Sequence, residues 1–196
     1  HPAVQRNLAR LEKDGCTVLA PDAGDLACGT TGPGRLPEPE AIFDRVAACL
    51  TPKDLSGRSV LVTAGPTREY LDPVRFISNP SSGKMGYAVA RAAEHRGAAV
   101  VLISGPAAAP PPANVETMRV ETAAEMAQAV YERAASADIV VKTAAVGDYR
   151  PQRRYDQKIK KAEETLSLTL EKTADILLEL GRRKPAGQVL IGFAAE

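Results

Sequence analysis

At 196 residues, 44% of them apolar, the chain can form one large domain or a domain plus part of another. A formal net charge of +1 offers no broad basic surface, which argues against non-specific binding to nucleic acid or to a membrane surface. No apolar run approaches the ~20 residues of a membrane span, and no signal-peptide pattern opens the chain. The three cysteines, Cys16, Cys28 and Cys49, match neither a disulfide nor a zinc framework, so a reducing cytoplasm is expected.

In chain order, residues 3–14 read as a helix closed by Gly15, residues 16–20 as a strand, and residues 38–50 as a helix begun by acidic residues after Pro37. Residues 51–58, with Pro52, Asp54, Ser56 and Gly57, read as a linker. A strand over 59–64, a helix over 84–96 stopped by Gly97 and a strand over 98–104 follow. Next come a short strand near 115–120 and a helix over 123–135, opened by the capping-box spacing of Thr122 and Glu125. Residues 137–146 form a buried-type strand, 165–171 alternate like a half-exposed one, 174–184 are helical and 188–193 are a last strand. Strands alternating with helices predict an α/β fold, a doubly wound, mostly parallel Rossmann-like sheet. Its ligand side lies beyond the C-terminal strand ends, where the Gly65 turn, the loop after Val146 and the end of the last strand should converge.

Residues 78–84, Ser-Asn-Pro-Ser-Ser-Gly-Lys, precede a helix whose Met85, Ala88, Val89 and Ala92 keep helical spacing. The opening of a helix presents unpaired N–H groups and the positive end of its dipole, so Ser81, Ser82, Gly83 and Lys84 suit phosphate oxygens. An ordinary capped helix with a solvated lysine is the alternative reading of the same residues. A second basic run, Lys158-Ile159-Lys160-Lys161, places three ammonium groups on an expected loop, either to neutralise a polyphosphate or as a solvated turn.

With their flanks, Val62-Thr63-Ala64-Gly65-Pro66-Thr67-Arg68-Glu69, Asp72-Pro73-Val74-Arg75-Phe76-Ile77-Ser78-Asn79 and Ser81-Ser82-Gly83-Lys84-Met85-Gly86 resemble the signature of phosphopantothenate-cysteine ligases. In bacteria that ligase is usually fused behind a flavin-dependent phosphopantothenoylcysteine decarboxylase. Residues 21–39, with Leu26-Ala27-Cys28-Gly29 and Gly32-Pro33-Gly34-Arg35, resemble the decarboxylase's cysteine-bearing substrate flap. The resemblance therefore implies a decarboxylase remnant of flavodoxin-like type over 1–50, a linker over 51–58 and a ligase domain over 59–196. The start at His1 without methionine and the end at Glu196 directly after a strand carry the expectation of a piece of a longer chain, cut at both ends.

By the same resemblance, 4'-phosphopantothenate attacks the α-phosphate of CTP, and cysteine opens the resulting acyl-cytidylate. It implies catalytic roles for Lys158 at the nucleotide phosphates, for Asn79 at the bound acyl-cytidylate and for Cys28 as a proton donor in the decarboxylase reaction. Nucleotide contacts are implied for Gly65, Ser81, Ser82, Lys84, Lys142, Thr143, Ala144, Asp148, Thr173, Ala174, Asp175, Ile176 and Phe193. Asp148 is also the expected magnesium ligand. Ala144-Ala145-Val146-Gly147-Asp148-Tyr149-Arg150-Pro151 matches the family's nucleotide-binding turn, with Gly147 where alanine is common. Lys172-Thr173-Ala174-Asp175-Ile176 departs further, because Ala174 replaces a usual proline. CTP, Mg2+ and, for the decarboxylase half, FMN are the expected cofactors, with dimeric ligase halves. A Rossmann-type oxidoreductase is disfavoured by the absence of a Gly-x-Gly-x-x-Gly turn after strand 59–64 and of an acidic residue closing the next strand. A non-catalytic interaction module is disfavoured by the Asn79, Asp148 and Lys158 group.

Overall fold

The computed structural model describes residues 1–27, 29–160 and 165–194. Contacts divide the chain into two units, His1–Pro52 and Lys53–Glu196. In the first, α1 (Pro2–Lys13) begins with the His1 imidazole accepting from the Ala3 N–H at 3.2 Å. A two-stranded antiparallel ribbon, β1 (Asp22–Asp25) with β2 (Thr31–Arg35), and α2 (Pro39–Leu50) complete it. The strand expected at 16–20 is not formed: the segment has no ladder partner, and ladder pairing, not β-propensity, makes a strand. No residue of α1 is buried, and in α2 only Ala48 is.

The second unit runs β3 (Ser59–Ala64), β4 (Arg68–Tyr70), β5 (Phe76–Ser78), α3 (Lys84–His95), β6 (Ala99–Ser104), β7 (Glu116–Arg119) and α4 (Ala123–Ala134). It continues with β8 (Ile139–Lys142), β9 (Tyr149–Pro151), β10 (Leu170–Lys172), α5 (Ile176–Arg183) and β11 (Val189–Gly192). Five strands pair in parallel in the order β11-β8-β3-β6-β7. The chain builds outward from β3 to β7, then crosses back to β8, so the winding reverses between β3 and β8. A doubly wound sheet opens its ligand crevice at that reversal.

Alternation along β3 makes the two cores. Val60, Val62 and Ala64 face α3 and pack with Tyr87, Ala90 and Ala93. Leu61 points the other way, into a cluster with Met126, Val130, Ile176 and Leu180 of α4 and α5. The capping box of α4 is present, with Thr122 Oγ1 accepting from the Glu125 N–H and the Glu125 carboxylate accepting from the Thr122 N–H.

The expected strand over 137–146 stops at Lys142 because the following backbone bonds cross to the β3 turn instead of continuing the ladder. The expected strand over 165–171 is reduced to β10, which pairs antiparallel with β9 outside the main sheet. The β4–β5 hairpin also lies outside it. Its Glu69, buried at 4% exposure, accepts from the Ala123 N–H at 2.8 Å, and the Arg68 N–H donates to the Glu121 carbonyl at 2.7 Å. The hairpin is thus fastened to the start of α4.

Candidate active site at the sheet reversal

Directly beyond β3 and β8, two turns are stitched to each other. Thr63, 1% exposed, accepts through its Oγ1 from the Ala144 N–H at 3.2 Å, while its carbonyl accepts from Thr143 Oγ1 at 2.6 Å. The Ala145 N–H donates to the Gly65 carbonyl at 2.9 Å, and Gly147 N–H donates to Thr67 Oγ1 at 2.9 Å. Gly65 has a φ of 74°, and a Cβ there would lie 3.1 Å from the Gly105 carbonyl oxygen, so the turn requires glycine. Buried threonines explain the stitching: each satisfies its hydroxyl by bonding the neighbouring turn's backbone.

The loop before α3 joins the same turn. Ser78 Oγ donates to the Thr67 carbonyl at 2.7 Å and Asn79 Nδ2 donates to the Val146 carbonyl at 3.1 Å. Ser81 Oγ accepts from the Gly83 N–H at 3.3 Å, which leaves the hydroxyl proton available to an anion. The N-cap of α3 is Gly83, which has no side chain to cap the first turn. Gly86 seats the helix: a Cβ there would stand 2.5 Å from both the Ala64 Cβ and Thr143 Oγ1. The opening of α3 therefore lies on the end of β3 and beside the Thr143 turn, with Lys84 exposed.

On the β8 side, Lys142 ends the strand, and its backbone carbonyl accepts from the Phe193 N–H at 3.1 Å. Burial pushes the Lys142 ammonium below its ordinary pKa, against the opposing pull of the Asp175 and Asp148 carboxylates. Thr173 reaches the same turn, donating from Oγ1 to the Gly147 carbonyl at 2.7 Å and from its N–H to the Asp148 carbonyl at 2.9 Å. Asp175 caps α5 by accepting from the Leu178 N–H at 2.9 Å. Ile176 is 2% exposed and packs in the core, so a ligand can meet its backbone but not its side chain. Phe193 is 54% exposed and available for stacking. Among the described residues no group of three or more His, Cys, Asp or Glu side chains forms a metal cage. A lone carboxylate such as Asp148 could hold Mg2+ only together with substrate phosphates.

Gly65, Asn79, the 81–84 loop, Thr143, Ala144, Asp148 and Thr173 are thus brought together, and Ala174 follows directly in the chain. Lys158 stands at the end of the β4–β5 hairpin opposite Asn79. It lines a concave surface of about 710 Å³ with Val74, Arg75, Gln157, Ile159 and Lys160, at the tip of the β4–β5 hairpin. Asn79 follows the other end of β5, a strand of three residues and so ~10 Å long. Cys28 and Lys161 lie outside the described residues. Residue-by-residue reading gave no role to Thr63, Thr67, Glu69 and Asp72, buried polar side chains that entered the sequence reading only as members of the signature runs.

Residues 55–196 match the model of the DNA/pantothenate metabolism flavoprotein C-terminal domain. Over 200 aligned residues the chain is 49% identical to the coenzyme A biosynthesis bifunctional protein CoaBC of Bacillus subtilis (strain 168), covering 100% of this chain and 49% of that protein. The chain spans about half the length of such curated relatives. The solved C-terminal domain of a coenzyme A biosynthesis bifunctional protein CoaBC superposes with a TM-score of 0.63 at 51% identity, over 72% of this chain and 66% of that one. A DNA/pantothenate metabolism flavoprotein from Streptococcus pneumoniae superposes with a TM-score of 0.62 at 26% identity, over 70% and 69% of the two chains. A match running through both faces of the sheet and every turn of the crevice makes this chain a member of the DNA/pantothenate metabolism flavoprotein C-terminal domain family.

Proposed function

We propose that residues 59–196 carry the CTP-dependent joining of 4'-phosphopantothenate to cysteine, and that residues 1–50 belong to a fused FMN-dependent decarboxylase of phosphopantothenoylcysteine. The observation that carries the ligase reading is the stitched crevice. The opening of α3, the Asn79 amide and the Asp148 turn meet at the point where the sheet reverses. The 49% identity to a coenzyme A biosynthesis bifunctional protein supports the same reading. A first unit with little buried apolar surface of its own fits a role within a larger flavin domain.

A carboxylate does not acylate an amine until its oxygen becomes a leaving group. The phosphopantothenate carboxylate attacks the α-phosphorus of CTP, the bond to the β-phosphate oxygen breaks, and pyrophosphate departs. The amine of cysteine then attacks the acyl carbon, loses a proton, and CMP leaves. Both steps build negative charge on phosphate oxygens, which Lys158, Lys84, the hydroxyls of Ser81 and Ser82 and the N–H groups opening α3 stabilise. Asp148 would hold the Mg2+ that accompanies CTP, and the ion would supply part of the charge neutralisation. Asn79, whose Nδ2 is engaged by Val146, accepts from the incoming amine through its side-chain oxygen. Lys142, Thr143, Ala144, Thr173, Ala174 and Asp175 border the nucleoside, and Phe193 packs on the base. The ligase halves pair as dimers, and the protein works in the cytoplasm on small molecules. No helix among the described residues is long and apolar enough to cross a membrane. Cys28 donates a proton in the decarboxylase half.

In the full-length protein proposed to contain this chain, Lys158→Gln abolishes pyrophosphate release from CTP with circular dichroism unchanged. Asn79→Asp releases pyrophosphate and accumulates the acyl-cytidylate. Acyl-cytidylate formation at the normal rate in the lysine variant, or none in the asparagine variant, overturns these roles.

A further inference from the structure

The lysine segment has no secondary structure of its own to hold it. From the end of β9 to Lys160 it makes no ladder. Its fixed points are supplied by the tip of the β4–β5 hairpin. The Leu71 carbonyl accepts from the Tyr155 N–H at 2.8 Å. Four residues on, Asp72 Oδ2 accepts from the Ile159 N–H at 3.1 Å, and the Arg75 guanidinium donates to the Ile159 carbonyl. Arg75 is itself aligned by its Nε donating to Asp72 Oδ2 at 3.0 Å. Both backbone groups of Ile159 are therefore held by one acid–base pair.

Asp72 is built for this. Its side chain is fully buried, and its other oxygen, Oδ1, accepts from the Val74 and Arg75 N–H groups at 2.8 Å each. One oxygen closes the local turn and the other serves the distant segment, 87 residues away in sequence. With Ile159 drawn inward and half-buried, the residues on either side, Lys158 and Lys160, are left exposed on the concave surface. A carboxylate beside a lysine segment is unexpected for a site that attracts phosphate. Here its charge is spent on Arg75 and on backbone N–H groups, so it organises the lysines without competing with the anion.

We propose that Asp72 is the positioning residue of the Lys158–Lys160 segment: through Arg75 and Ile159 it fixes where the lysine ammonium groups meet the nucleotide phosphates. The inference rests on the nucleotide reading for what the lysines bind, and on geometry alone for what holds them.

Asp72→Asn separates the two oxygens. The asparagine oxygen still accepts from Val74 and Arg75, so the local turn survives. Its amide N–H groups face the Arg75 guanidinium and the Ile159 N–H, donor against donor, and the hold on Ile159 is lost. Brief trypsin treatment of the full chain, read by mass spectrometry, reports the segment directly. Cleavage after Lys158 and Lys160 accelerates about tenfold or more in the variant, the scale of losing a charge-assisted hydrogen bond from a local opening equilibrium. Cleavage after Arg91 and Arg133, inside α3 and α4, stays at the wild-type rate. Arg75→Gln, which keeps the buried carboxylate and its backbone partners, gives a smaller acceleration at the same two sites and carries the test if the first variant does not fold. Unchanged cleavage after Lys158 and Lys160, or equal acceleration at every site, overturns the proposal. In the full-length protein, Asp72→Asn raises the KM for CTP about tenfold with the KM for cysteine unchanged; an unchanged KM for CTP overturns the positioning role. If CTP fails to protect Lys158 and Lys160 from trypsin even in the wild type, the nucleotide reading falls while the accelerated cleavage still establishes the hold on Ile159.

Discussion

Gly86→Ala tests whether the seat of α3 on the end of β3 is as tight as the structure describes. In an open helix position the change stabilises by up to about 1 kcal/mol, because alanine loses less backbone entropy on folding than glycine. Gly86 is not open. The new methyl would lie 2.5 Å from the Ala64 Cβ, 2.5 Å from Thr143 Oγ1 and 2.9 Å from the Thr63 carbonyl oxygen. Ala64 and Thr63 belong to the central strand and Thr143 is tied to it, so none of the three is the loose end of a flexible side chain. Relief requires α3 to lift by ~1 Å, and overpacking of that kind costs about 1–3 kcal/mol. Net of the propensity gain, the variant should be destabilised by roughly 1–2 kcal/mol. Gly181 in α5 is the internal control, because a Cβ there meets nothing within 4 Å, and Gly181→Ala should stabilise by about 0.5–1 kcal/mol. Urea unfolding followed by circular dichroism measures both. Equal stabilisation by the two substitutions would show that α3 does not rest on β3 and Thr143 as described. The same lift moves the helix opening off the Thr143 turn, so Gly86→Ala also weakens protection by CTP against trypsin.

Lys142→Met should raise stability at pH 7, because burial disfavours the ammonium that the unfolded chain keeps readily. A base whose pKa is lowered in the folded state costs stability below that pKa, and the cost fades as pH rises toward the unfolded value. The advantage of the variant should therefore shrink in thermal melts as pH rises toward the ordinary lysine pKa, and a variant less stable at pH 7 would refute it. Asp72 runs the opposite way. Burial raises its pKa, but the N–H groups of Val74, Arg75 and Ile159 and the Arg75 charge outweigh that and hold it at about 2. Its stabilisation is complete above the unfolded carboxylate pKa and lost as pH falls toward 2, so the melting difference between wild type and Asp72→Asn should narrow from pH 4 to pH 2. A constant difference would remove the ionised carboxylate from the account.

The doubly wound sheet was legible because its signals are local. Strands 59–64 and 98–104 carry continuous apolar runs, and α4 announces itself with Thr122 and Glu125. The Gly65 turn and the opening of α3 were legible for the same reason, since turn chemistry is written in adjacent residues. The short ribbons were not. Strands β4, β5 and β9 are three residues each, too few to show a period, and exist because they pair with one another and with β10. The segment at 16–20 erred in the other direction: its β-rich composition lacks a neighbour to pair with. Buried polar groups were the hardest to foresee. Apart from its place in the signature run, nothing local distinguishes Asp72 from a solvated turn residue, because its decisive partner, Ile159, is set by the tertiary fold.

The hairpin gives these hidden residues their importance. Asn79 follows one end of β5 and Arg75 precedes the other, so one three-residue strand links the proposed acyl centre to the hold on the lysines. Its register with β4, Arg68 opposite Ser78 and Tyr70 opposite Phe76, sets where both ends fall. A slip of two residues, the smallest that keeps each side chain on its own face, would move Asn79 by ~7 Å from the Val146 carbonyl and Arg75 by as much from Ile159. So short a ribbon does not fix its own register. Glu69 does: buried and bonded to the first N–H of α4, it pins the centre of β4 to an element of the main core. The path from the core to the proposed site thus runs from α4 through Glu69 to β4, across the ladder to β5, and out to Asn79 at one end and, through Arg75 and Ile159, to the Lys158 segment at the other. Two side chains that sequence separates by 79 positions are thereby spaced by a single fastened hairpin, as the successive steps proposed for them on one substrate require.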